Sequence, residues 1–87
     1  MAGARLRNSI LYALEAMGPA AEPAIPALMD ILRDKKTPRT ELNNAVDVLG
    51  SIGPAAKEAA PLLREALKDK RLGVRDRARR ALDKTGR

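Results

Sequence analysis

The chain has 87 residues, with no Cys, no His and one aromatic residue, Tyr12. That length fits a single domain, 1–87, and the composition excludes a disulfide framework, thiolate or imidazole metal ligands, and any nucleophile–base pair built on Cys or His. The 17 Lys and Arg outweigh the 11 Asp and Glu to give a net charge of +6. Nine basic and three acidic residues of 68–87 supply that whole excess, a sign of an anionic partner or of a solvated end.

Five helices are predicted in chain order. The first covers 4–17, where Leu6, Ile10, Leu14 and Met17 recur at helical spacing before Gly18. Its basic start followed by apolar residues is interrupted by Asn8, Ser9 and Glu15, which fits an amphipathic helix better than a signal peptide. The second covers 23–33, with Ile25, Leu28, Met29 and Leu32 on one face. The third covers 39–52, with Leu42, Ala45, Leu49 and Ile52 before Gly53. The fourth covers 58–69. The fifth covers 73–85, with Val74, Ala78, Ala81, Leu82 and Thr85 before Gly86. The glycines are read as helix stops, where a left-handed cap residue is favoured. Pro26 and Pro61 fall in first turns, where a proline forfeits no intrahelical bond. A break is therefore expected near 22–24 and 57–59. No apolar run approaches the roughly 20 residues of a membrane span, and a cytoplasmic protein is expected.

The chain also repeats itself. Aligning 17–35 with 52–70 gives ten identities in nineteen pairs, among them Gly18/Gly53, Pro19/Pro54, Pro26/Pro61, Leu28/Leu63 and Asp34/Asp69. A period of 35 residues signals an all-α stack of helix pairs. The order second, first, second, first, second helix gives about two and a half repeats: a half repeat 4–18, then 19–53 and 54–86. Leu28 and Leu63 are expected to be equivalent buried residues.

The words "IGPAAKEAAPLLREALKD" at 52–69 and "VRDRARRALDKTG" at 74–86, with "MGPAAEPAIPALMDILRD" at 17–34 and "LRNSILYALEAMG" at 6–18, resemble the HEAT-repeat family, in particular the short bacterial HEAT-like repeats also found in phycobilisome lyases. The resemblance implies an α-α superhelix, a HEAT-like solenoid. It also implies a polar ladder joining an Asp that ends each first helix to an Arg that begins each second helix. Asp34 and Asp69 match that Asp, and Arg75 and Arg7 match that Arg. The middle repeat departs, with Leu42 where the Arg belongs and a longer loop, "KKTPRT".

In that architecture the second helices form a concave wall. Helical spacing then gives the outward rows: Thr40, Asn44, Asp47 and Ser51, matched by Arg5, Ser9, Tyr12 and Ala16 before them and Gly73, Arg77, Arg80 and Lys84 after them. The partner-binding candidates are accordingly Arg5, Ser9, Tyr12, Asn44, Asp47, Arg77, Arg80 and Lys84. Protein binding by a non-catalytic scaffold is the first reading, with no cofactor and no metal. The alternative is a small nucleic-acid or polyanion-binding module, because Arg77, Arg80, Lys84 and Arg87 share a face. Against it, the last helix has no aromatic residue for base stacking, and Asp76–Arg80 and Arg79–Asp83 read as solvated pairs. Arg79 stands where Leu11 and Val46 stand in the earlier copies, as an end cap would require. The first helix carries apolar residues beyond one stripe, so association through its edge on the side of Leu11 is expected, either as a homodimer or by docking onto another chain.

Overall fold

A computed structural model describes residues 2–86, and among them there is no strand. The helices are α1 (Ala2–Met17), α2 (Ile25–Arg33), α3 (Arg39–Ile52), α4 (Ala60–Ala66) and α5 (Val74–Thr85). Two 3-10 segments, Gly18–Ala24 and Gly53–Ala59, join α1 to α2 and α3 to α4. The five helices thus form three continuous helical runs, 2–33, 39–66 and 74–85.

The expected break at each proline-rich segment takes the form of a tightened helix. Gly18 and Gly53 end α1 and α3 with φ of 59° and 82°, values that a side chain disfavours and glycine does not. Pro19 and Pro54 then open the 3-10 segments. Pro26 and Pro61 fall in the first two positions of α2 and α4, as the missing N–H requires. The fourth helix is shorter than the predicted 58–69. Beyond Ala66 the chain continues in i→i−3 bonds, Lys68 N–H to Glu65 C=O at 3.0 Å and Asp69 N–H to Ala66 C=O at 3.1 Å. Such a tightened last turn satisfies carbonyls that an α-helix end leaves open.

Two layers build the molecule, which measures 35 × 30 × 18 Å. One layer is α1, α3 and α5 side by side, and α2 and α4 pack behind it. The central α3 buries Leu42, Asn43, Asn44, Ala45, Val46, Val48, Leu49, Gly50 and Ile52. Leu28 and Leu63 are 1% and 0% exposed, the equivalent core positions expected from the repeat. The first helix corrects one expectation. Leu11 is only 4% exposed and belongs to the core, while Leu6, Ile10 and Met17 of the presumed packing stripe are 62%, 51% and 51% exposed. In this orientation Arg7, Asn8 and the Glu15 carbonyl find partners on α3.

Not every glycine is a helix stop. Gly50 lies inside α3, and a Cβ there would stand 3.2 Å from the Ala81 Cα of α5. Its missing side chain sets how closely α3 and α5 approach. Gly73 precedes α5 with φ 82° and ψ −14°.

The candidate concave groove and its polar seams

Three bonds fix α1 beside α3 in parallel register. Arg7 Nε donates to Glu41 Oε1 at 3.0 Å. Asn44 Nδ2 donates to Asn8 Oδ1 at 3.1 Å. Ser51 Oγ donates to the Glu15 carbonyl at 2.7 Å. Between α3 and α5, Arg77 forms an ion pair with Asp47, and Asn43 Nδ2 reaches the Leu72 carbonyl at 3.4 Å.

With the helices held this way, α1, α3 and α5 enclose an open groove of about 610 Å³. Val46, Gly50 and Ala81 form its floor, since all three are buried. Tyr12, Glu15 and Ala16 stand on the α1 side, Asp47 and Ser51 on α3, and Arg77, Arg80 and Lys84 on α5. Longer polar side chains rim this floor.

Five of the eight sequence candidates, Tyr12, Asp47, Arg77, Arg80 and Lys84, therefore share one site. Arg5 and Ser9 are exposed on α1 but do not line the groove. Asn44 is a correction: it is 6% exposed, turned into the α1–α3 seam to meet Asn8 rather than outward. Thr40 is exposed at the start of α3, away from the groove lining. Arg87 lies outside the described residues. Glu15, Val46, Gly50 and Ala81 were not anticipated. The nearest signal was helical spacing, since Gly50 follows Asp47 by three positions and Glu15 follows Tyr12 by three.

The charge of the groove is more local than the sequence suggests. Arg77 is taken up by Asp47, a pair that reaches across from α5 to α3, and among the described residues no ion pair joins Asp76 to Arg80. Among the described residues, Arg80 and Lys84 carry no ion pair, and both face the groove. Tyr12, 58% exposed, faces them from α1.

The polar ladder implied by the resemblance takes a different form. Asp34 and Asp69 each fold back to accept the N–H two residues on, from Lys36 and Arg71, both at 2.9 Å. Asp69 then holds Arg71 rather than Arg75, with Arg71 Nη2 at 2.7 Å from Oδ2. Arg71 Nη1 in turn donates to the Thr37 carbonyl at 2.9 Å, which ties the loop after α4 to the loop after α2. The side-chain bond from Arg71 is the main reason that the Asp69 carboxyl lies below its ordinary value, and burial opposes it.

No helix among the described residues is long and apolar enough to cross a membrane. Comparison finds no match among curated proteins or solved structures. The family model of the PBS lyase HEAT-like repeat matches residues 6–34 and 43–69. The first match spans α1 to the end of α2, and the second runs from α3 past α4. With more than half of its length matched, and with helix pairs stacked in two layers, the chain belongs to the PBS lyase HEAT-like repeat family.

Proposed function

We propose that this repeat module is a non-catalytic protein-interaction scaffold that takes a segment of a partner protein into the α1–α3–α5 groove. The observation that carries this reading is the groove itself, about 610 Å³ with a floor of small side chains and a rim carrying Tyr12, Arg80 and Lys84. An exposed tyrosine and an arginine are the residue types that anchor interfaces. The two unpaired cations favour a segment with at least one carboxylate. The absence of His and Cys from the chain supports a role without nucleophilic catalysis.

Nucleic-acid binding is the weaker reading. Phosphate tracking needs a continuous basic strip. Here Glu15 and Asp47 interrupt the groove, and Asp47 neutralises Arg77.

Panning a random peptide library against the wild-type chain tests the proposal. Enriched acidic peptides are expected to lose affinity for Tyr12→Ala and for Arg80→Ala, by roughly 1–2 kcal/mol each, as interface anchors do. Charge reversal at Arg80 and Lys84 should abolish their binding, whereas reversal at Lys35 and Lys36 should leave it. Equal losses from both pairs would reduce the effect to net charge. Tighter binding to random duplex DNA than to any peptide, with affinity falling steeply in salt, would favour the polyanion reading.

A further inference from the structure

Arg77, Arg80 and Lys84 stand at i, i+3 and i+7 on α5, and all three line the groove. At a rise of about 1.5 Å per residue the row runs about 10 Å. One strand of a duplex sets a phosphate about every 3.4 Å of axis, so the full row spans about three phosphate steps. The row is not uniform. Arg77 Nη1 is paired with Asp47 Oδ2, whereas no ion pair involves Arg80 or Lys84 among the described residues. Glu15 lines the groove from α1 without an ion pair to any of the three, and Asp76 and Asp83 of α5 do not line it. Among the described residues, Asp47 is thus the acid that interrupts the row.

We propose that Asp47 sets the anion specificity of the groove: by holding Arg77 it leaves a two-cation site that suits an isolated carboxylate and denies a phosphate polymer the continuous row. This deepens the peptide-binding reading of the groove and rests on it. A polyanion gains from every cation it neutralises, because each contact releases counterions. An isolated carboxylate engages Arg80 and Lys84 and gains little from a third cation further along α5. Freeing Arg77 therefore favours the polymer over the peptide. Asp47 also adds a negative charge beside the row, which repels phosphates that pass it.

The surroundings of Arg77 make the hold firm. The Asp47 and Arg77 side chains are 21% and 38% exposed, against 78% and 57% for Asp30 and Arg33, the pair on α2. Less water around the first pair leaves its attraction less screened. A Cβ at Gly73 would lie 3.7 Å from Arg77 Nε, so the guanidinium rests against the start of α5. Arg77 is thus half-buried between α3 and that start, while Arg80 and Lys84 are exposed.

Fluorescence anisotropy of a short labelled random duplex with the whole chain, from about 50 mM to about 1 M salt, is the test. Asp47→Asn should raise affinity roughly tenfold at the lowest salt and steepen the salt slope by about 0.9, the value of one added phosphate contact. Asp47→Asn combined with Arg77→Gln should lose that gain. Asp30→Asn changes net charge equally and frees Arg33 on α2, behind the groove layer, and should stay within about twofold of wild type. An acidic peptide selected on the wild type should likewise gain no more than about twofold from Asp47→Asn. Asp47 lies at a helix seam, so a measurement on the wild type stands beside the variants. On titration with the duplex at low salt, the Nε–Hε signal of Arg80 should move and that of Arg77 should stay. No gain from Asp47→Asn overturns the proposal. So do a gain that survives Arg77→Gln, an equal gain from Asp30→Asn or for the peptide, and equal movement of Arg77 and Arg80. The duplex measurements need no peptide, so a failure to enrich any acidic peptide ends the peptide reading separately from the hold of Asp47 on Arg77.

Discussion

Asp69 and Leu63 show how single side chains hold the two repeats together. Asp69 fixes Arg71, and Arg71 reaches the Thr37 carbonyl at 2.9 Å, so one carboxylate organises a contact between loops that are 34 residues apart. Its folded-state pKa is lowered from the ordinary 3.8, chiefly by the Arg71 side chain. A carboxyl lowered in the folded state adds stability that is complete above the unfolded value and is lost as pH falls through the folded one. The difference in urea midpoint between wild type and Asp69→Asn should therefore shrink as pH drops below about 3.8. A difference of constant size over that range would contradict the link. Leu63 acts by packing. It is fully buried, and Leu63→Ala should cost roughly 2–5 kcal/mol in urea melts, as core leucine truncations do. A loss below about 1 kcal/mol would mean the site collapses around the gap far better than core leucine sites do.

At the scale of elements, Gly50 decides the spacing of α3 and α5. A Cβ there would lie 3.2 Å from backbone and 3.4 Å from the Ala81 Cβ. Gly50→Val should push the helices apart and destabilise by roughly 1–3 kcal/mol, as overpacked sites do. A neutral result in urea melts would show that α5 yields freely. The helices themselves were legible because apolar stripes run up to Gly18, Gly53 and Gly86, where only glycine suits a positive φ. The 3-10 segments were not, since "GPAAEPA" and "GPAAKEA" have no period that separates a tight helix from a turn followed by a first α-turn. Proline tolerates both. The rotation of α1 was hidden for a related reason. Leu11 and Ile10 are equally apolar, and the Arg7–Glu41 and Asn8–Asn44 bonds that accompany the burial of Leu11 are visible only once the register is known.

For the whole molecule, the 35-residue period foretold stacked helix pairs and the row from Tyr12 through Asp47 to Arg80, because equivalent positions in a stack fall in line. It could not reveal that Asn44 turns inward or that Asp47 takes Arg77. A polar residue at a helix seam has the same sequence signature as one on the surface. Net charge was equally coarse: among the described residues, +6 overall leaves Arg80 and Lys84 as the groove's cations without an ion pair. The most direct measurement is an amide chemical-shift titration of the isotope-labelled chain with an acidic peptide selected on it. Shifts gathered at Tyr12, Asp47, Gly50, Ser51, Arg80 and Lys84, and lost on reversing Arg80 and Lys84, are expected. Shifts spread over Lys35, Lys36 and Lys57 on the outer surface, and unchanged by that reversal, would contradict binding in the groove.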